Sequence, residues 1–344
     1  MSADGDSPTN VVFVLTDDQG PWAAGCYGND EIHTPNIDRL ADEGIRFENF
    51  FCASPVCSPS RASFLTGEIP SQHGVHDWIR DGNVPPGEGY RKGYDEEADE
   101  EAWPPAVAYL EDRTGYTEVL AEHGYESAMS GKWHLGDSTT PQQGFDHWFV
   151  HQKGGGPYYD APVVRDGELE REPGYITDAI TDEALGFLDA MAEPFYLSVH
   201  YTAPHSPWTE DGEARNQHPE EITELYDDCP FKSCPQEPTH PDATGLTHGN
   251  MGNHESLKGY FAAVTAMDRQ VGRILDRLEE MGVREDTLVV VTSDNGFSCG
   301  HHGFWGKGNG TFPLNMYENS VTVPFIASHP GTIPEGTVTE ALTS

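Results

Sequence analysis

Two stretches of this chain constrain its fold more than anything else: Asn10–Thr16 (N-V-V-F-V-L-T) and Thr287–Ser293 (T-L-V-V-V-T-S). A strand with one wet face alternates apolar and polar residues, whereas a strand covered on both faces does not. Both runs read as strands in the interior of a parallel sheet. A third run, 195–201, has the same character, and 45–51, 126–130 and 323–327 are shorter candidates. Between them lie segments of helical period: 35–43, 117–123, 177–191 and the long 255–281. The last puts Phe261, Val264, Met267, Val271, Ile274, Leu275 and Leu278 on one face, with Gly282 after it. Strands alternating with helices predict an α/β fold, a three-layer α/β/α sandwich around a large, mostly parallel sheet.

Each of the two defining strands ends in a polar pair, Asp17-Asp18 and Asp294-Asn295. Open α/β sheets gather their ligands at the carboxyl ends of strands. Carboxylate and amide oxygens there suit a hard cation such as Ca²⁺ or Mg²⁺ better than zinc. Either pair alone could equally be a turn former or a helix cap.

Composition narrows the partners. With 58 acidic and 19 basic residues among 344, the formal charge is −39, a field that repels nucleic acid and anionic membrane. Self-repulsion of this size leads us to expect a surface adapted to high salt, hence a halophilic source. Only six lysines are present, so each is informative. Lys132 and Lys307 fall inside the motifs below. Residues 82–105 turn Gly-, Pro- and acid-rich and read as an acidic surface insertion; 208–253 reads as surface loops, possible cover for a site. Six cysteines do not suggest a disulfide framework, although Cys229 and Cys234 flank a Pro-rich loop and could pair or bind metal. The first 20 residues lack a signal-peptide pattern and no apolar run spans a bilayer, so the expected location is the cytoplasm. Gly306-Lys307 lacks the glycine spacing of a phosphate-binding loop.

Chemistry concentrates at Pro55-Val56-Cys57-Ser58-Pro59-Ser60-Arg61. Two prolines place Cys57 on a bend, and Ser60 is expected to cap a helix starting near Arg61, whose amide end favours an anion. A lone cysteine is usually a small buried hydrophobe. Here Cys-x-Pro-x-Arg continues into Leu65-Thr66-Gly67.

That pattern resembles the sequence at which type I sulfatases have their cysteine oxidised to formylglycine. Gly131-Lys132-Trp133-His134-Leu135-Gly136, Pro204-His205 and Gly306-Lys307-Gly308 follow in the family's order. The resemblance implies an alkaline-phosphatase-like catalytic domain over 1–344 that hydrolyses a sulfate ester. It further implies that Asp17, Asp18, Asp294 and Asn295 hold Ca²⁺ (or Mg²⁺) together with modified residue 57. Arg61 would steady residue 57, Lys132 and Lys307 would grip sulfate oxygens, and His134 and His205 would move protons. Implied partners are a small-molecule or carbohydrate sulfate ester and a formylglycine-generating maturation enzyme. The resemblance also implies more chain after 344, so the C-terminal subdomain is expected to be missing. Two alternatives stand beside this reading: a phosphonate monoester or phosphodiester hydrolase of the same superfamily, and a catalytically silent remnant. His301 and His302 are left as substrate contacts at most.

Overall fold

A computed structural model describes residues 9–85, 105–209 and 217–344. The strands, in chain order, are β1 (Asn10–Thr16), β2 (Ile45–Phe47), β3 (Glu126–Lys132), β4 (His147–His151), β5 (Ala161–Arg165), β6 (Glu168–Glu172), β7 (Phe195–His200), β8 (Thr287–Ser293), β9 (Ser298–Cys299), β10 (Trp305–Gly306), β11 (Phe325–Ser328) and β12 (Thr337–Thr339). All but β9 and β10, which form a small ribbon of their own, join one sheet in the order β12-β2-β11-β8-β1-β7-β3-β4-β5-β6. Its centre, β8-β1-β7-β3-β4, is parallel throughout. Antiparallel pairs flank it on both sides.

The two unbroken apolar strands lie side by side, Asn10 opposite Thr287 through Thr16 opposite Ser293. Their side chains divide by parity, as the pleat demands. On one face Val12, Val14, Val289 and Val291 pack with the helices Pro35–Asp42, Ile176–Ala190 and His254–Met281. On the other, Val11 and Phe13 meet Ala62 and Leu65 of the helix Cys57–Thr66. Helices therefore cover both faces, and the expected three-layer sandwich is what forms.

The helix His254–Met281 begins where the Asn253 side chain accepts from the amides of Glu255 and Ser256. It ends at Gly282 in a left-handed conformation (φ 74°), and its seven expected core residues are all buried.

Several local expectations are corrected. The strand expected over 45–51 stops at Phe47, after which Phe50 and Phe51 make only isolated bridges. Within 208–253, described except for 210–216, Glu220–Thr223 and Gly245–Asn250 are helical rather than loop. Of the acidic segment 82–105, residues 86–104 lie outside the described residues. All six cysteines are free thiols, so Cys229 and Cys234 do not pair, and among the described residues no candidate metal group includes either. Among the described residues, no helix is long and apolar enough to cross a membrane.

Candidate active site

β1 and β8 run parallel and in register, so both polar pairs leave the sheet at the same end. The Asp294 amide bonds the Thr16 carbonyl at 3.1 Å, which fastens the two strand ends together. Asp17, Asp18, Asp294 and Asn295 are each at most 2% exposed. Asp18 holds φ 70°, a left-handed conformation that costs a non-glycine residue about 1 kcal/mol or more. The Tyr260 hydroxyl, donating to the Asp18 carbonyl at 2.8 Å, helps to hold it there.

Cys57 meets this cluster from the opposite layer. Its Sγ is 3.4 Å from Asp17 Oδ1, and one atom from each of Asp17, Asp18, Asp294 and Cys57 falls within 4.8 Å of the others. The helix carrying it starts at Cys57 itself, not near Arg61. Pro59 sits in the first helical turn, where its missing N–H costs nothing. Ser60 is therefore not a cap; its hydroxyl donates to the Asp294 carbonyl instead. Burial, with the Asp17 carboxylate, pushes the Cys57 thiol up to about 12. Unmodified, residue 57 is no thiolate nucleophile at neutral pH.

Three cations answer the three carboxylates. Arg61 Nε donates to Asp294 Oδ2 at 2.9 Å, Lys132 pairs with Asp17, and Lys307 pairs with Asp18 and touches Cys57 Sγ. Burial alone would raise Asp17 and Asp18, yet Lys132 and Lys307 respectively, with His205, bring both below the usual carboxylate value. Asp294 is raised by burial and by its neighbour Asp17. Lys307 is held well above its ordinary value: burial opposes its charge, but Asp18 and Cys57 outweigh burial.

The histidines have distinct states. His134 Nε2 lies 2.9 Å from the Ile79 carbonyl, so that nitrogen carries the proton and Nδ1 presents a lone pair. Nδ1 is buried without a protein partner. Burial, then the Lys132 charge, holds the ring well below its usual pKa, hence neutral. His205 directs Nδ1 to the Ser206 carbonyl at 2.7 Å and leaves Nε2 3.9 Å from Asp18 Oδ2. Both rings border a cavity of about 650 Å³ that also reaches Cys57 and Lys307. His301 instead turns Nε2 to the Ser233 carbonyl and packs its ring at a tilt against Trp22, a structural role.

Some of the site was not foreseen. His200, at the end of β7, sits behind Arg61: its Nδ1 is 3.4 Å from Arg61 Nη1 and 3.2 Å from the Lys132 carbonyl, and its Nε2 meets Ser198 Oγ at 2.7 Å. The sequence signal was available, since β7 is another buried strand running out into polar residues at the same end. Tyr158, whose hydroxyl donates to the His205 carbonyl at 2.9 Å, came from a stretch with no motif. Gly131 is needed because a Cβ there would lie 1.9 Å from the His200 carbonyl oxygen. Gly154 is needed because a Cβ would lie 2.1 Å from the His134 ring.

The residues fit a divalent cation. Asn295 donates from Nδ2 to Asp18 Oδ1 at 2.7 Å, which leaves Oδ1 of the same amide buried with no partner. An orphaned buried amide oxygen beside three carboxylates is an all-oxygen donor set of the kind that suits a hard cation.

The chain is similar to known proteins. A family model for sulfatases matches residues 9–344. An N-acetylglucosamine-6-O-sulfatase of Bacteroides thetaiotaomicron is 30% identical over 97% of this chain and 65% of its own length. The human N-acetylgalactosamine-6-sulfatase is 31% identical over 100% of this chain and 61% of its own. The chain thus spans less than two thirds of these relatives. A solved structure in complex with its substrate D-glucosamine-2-N,6-O-disulfate superposes with TM-score 0.70 at 28% identity, covering 98% of this chain and 74% of that one. With a matched family model running from the first strand to the last residue, and a sheet that superposes on that of a similar solved structure, the chain belongs to the sulfatase family of the alkaline phosphatase superfamily.

Proposed function

We propose that this chain hydrolyses a sulfate monoester of a carbohydrate, giving the free alcohol and inorganic sulfate, with residue 57 converted to formylglycine and a Ca²⁺ or Mg²⁺ ion held by Asp17, Asp18, Asp294 and Asn295. The observation that carries the proposal is the convergence of these oxygen donors on residue 57, with the Asn295 Oδ1 acceptor left over. The thiol Sγ of Cys57 stands where the oxygens of the modified side chain would be. Two relatives that act on 6-sulfated amino sugars favour a sulfated hexosamine as substrate.

Charge supports the assignment. Three carboxylates and three cationic side chains leave the centre formally neutral. A divalent ion would raise it to +2, the sign an anionic ester needs. A hydrated formylglycine would supply a hydroxyl nucleophile toward sulfur, and a bound cation would lower that hydroxyl's pKa and draw charge from the sulfuryl oxygens.

The chain's own groups do the rest. Arg61 fixes Asp294 and, through its bond to the Lys132 carbonyl at 2.8 Å, the strand end that carries Lys132. Lys132 and Lys307, each beside a site carboxylate, would turn their ammonium groups to sulfuryl oxygens, where charge grows in the transition state. His205, whose Nε2 is open to the cavity, is the group placed to deliver a proton to the departing alcohol, with Lys307 beside it. His134, neutral and with its Nδ1 lone pair unengaged, is the base that takes a proton from residue 57 when sulfate leaves.

Protein co-expressed with a maturation enzyme should be offered matched aryl sulfate and aryl phosphonate esters, together with 6-sulfated hexosamines. Sulfate ester turnover well above phosphonate turnover is expected. A preference for the phosphonate would move the activity to the sister hydrolases. Absence of both activities in fully matured, calcium-loaded protein would favour a silent remnant.

A further inference from the structure

Strand β7 is buried on both faces, yet one of them is polar: Tyr196, Ser198 and His200 alternate with Leu197 and Val199. The fold itself gains little from such a row, because buried polar groups must be hydrogen-bonded merely to be tolerated, and apolar side chains of the same shape would serve as well. Here each member is bonded, and the row ends at the candidate active site. Tyr116 pairs with the Tyr196 hydroxyl, that hydroxyl lies 3.2 Å from Ser198 Oγ, and Ser198 Oγ lies 2.7 Å from His200 Nε2. The last contact is to the Lys132 carbonyl, 3.2 Å from His200 Nδ1.

Proton positions follow from that end. The Lys132 carbonyl can only accept, and it is nearer to His200 Nδ1 than Arg61 Nη1 is at 3.4 Å, so Nδ1 carries a proton. Burial, then the Arg61 charge, holds the ring well below its usual pKa, hence neutral, and a neutral imidazole has a single N–H. Nε2 is therefore an acceptor. Ser198 donates to it, Tyr196 donates to Ser198, and Tyr116 donates to Tyr196, so every proton of the row points toward Lys132. A carbonyl oxygen has two lone pairs, and Arg61 Nη1 takes the other at 2.8 Å. The end of β3 is thus pinned by two side chains from outside it, one from the helix Cys57–Thr66 and one from β7. The strands can come this close because Gly131, opposite His200, has no Cβ to strike the His200 carbonyl.

We propose that His200 is a positioning residue for sulfate ester cleavage: its Nδ1–H holds the Lys132 carbonyl, and with it the strand end from which Lys132 reaches the sulfuryl oxygens, while Tyr116, Tyr196 and Ser198 lock the ring in the tautomer this needs. The role rests on the sulfate ester reading above and adds to it a group that touches neither substrate nor cation. Without Nδ1–H the carbonyl keeps only its bond from Arg61 and can rock, carrying Lys132 and, two residues on, His134 out of line. Misplacement of this kind costs on the order of ten- to a hundredfold in rate.

Matured wild type, His200→Phe and His200→Asn should be compared on a sulfate ester. Phenylalanine keeps a ring and removes both nitrogens, whereas asparagine returns an N–H close to the place of Nδ1. In His200→Phe, kcat should fall about tenfold or more, with KM within about threefold and the calcium-induced rise in Tm intact, and His200→Asn should regain most of the loss. Nitrogen NMR of the imidazoles in the unconverted wild type, with the His200 signals identified by their absence from His200→Asn, should place the proton on Nδ1; this readout depends neither on turnover nor on how well His200→Phe folds. An unchanged kcat in His200→Phe, an asparagine variant as slow as the phenylalanine one, or a proton on Nε2 overturns the role of His200 and leaves the sulfate ester reading standing. A matured wild type that turns over no sulfate ester overturns that reading and the role together.

Discussion

Replacing Asn295 by leucine separates the cation site from the rest of the fold. Asn295 is fully buried, donates to Asp18 and to the Gly296 carbonyl, and keeps Oδ1 unpartnered. Without an ion, leucine removes a hydrogen bond to a charged group, a loss of about 1.5–3 kcal/mol, and relieves an unsatisfied buried oxygen of about 1–3 kcal/mol. Asp18 retains Lys307. With the lost bond to the Gly296 carbonyl, worth a further ~1 kcal/mol, the net is a small loss, so the ion-free protein should melt within a few degrees below wild type. With calcium at about 100 times the wild-type Kd, binding stabilises the native state by ~2.7 kcal/mol. If losing one ligand oxygen weakens binding about a hundredfold, only ~0.4 kcal/mol of that remains at the same concentration. The difference corresponds to a calcium-induced rise in Tm smaller by roughly 3 °C for a chain of this size. Differential scanning calorimetry with chelator or calcium, both in molar NaCl so that the −39 charge is screened, measures it. An Asn295→Leu protein with the full wild-type calcium shift would refute the idea that this amide oxygen is a ligand.

Three further outcomes are expected. Gly154→Ala drives a methyl group into the His134 ring; its kcat on a sulfate ester should fall about tenfold or more while its calcium-induced Tm shift stays intact, and an unchanged kcat would show that His134 is not held by this contact. Burial depresses His151 to about 4, His218 to about 3 and His301 to about 4, so these rings are neutral when folded but take up protons when unfolded once the pH drops below 6.5. Stability contributed this way is complete above pH 6.5 and is lost as pH falls toward those folded values; Asp268, raised by burial to about 6, opposes it only below pH 6. At ~1.4 kcal/mol per unit the histidine effect dominates, so Tm in molar salt should drop steadily from pH 7 to 5, and a flat profile would contradict the buried neutral histidines. Finally, if the acidic surface is an adaptation to salt, Tm should rise continuously from low to molar KCl, whereas indifference to salt would remove the halophilic reading.

How much of this was legible in the sequence depended on whether the signal was local. β1 and β8 announced themselves because both faces are buried, and the polar pairs at their ends were legible for the same reason. β6, Glu168–Glu172, could not be read: it forms the sheet edge with a mostly polar sequence, and only pairing with β5 makes it a strand. The helix starts at Cys57 and not near Arg61 because Pro59, which would break a helix interior, is compatible with a first turn, a distinction no local pattern makes. Lys132, His134, His205 and Lys307 were identified through motif resemblance, and the structure gathers all four around one cavity or its buried wall. His200 ends a legible buried strand, yet its contact to Arg61, like that of Tyr158 to the His205 carbonyl, is long-range, and no local pattern encodes it. The orphaned Asn295 oxygen is likewise a property of the folded hydrogen-bond inventory alone.

The nucleophile is residue 57, a proposal tested most directly by mass spectrometry of the Cys57 peptide run alongside sulfate release on the same protein preparations. Across preparations matured to different extents, inorganic sulfate released per protein should rise in proportion to the aldehyde fraction, and Cys57→Ala protein should release none. Sulfate release from protein whose residue 57 is entirely thiol, or from Cys57→Ala, would contradict it.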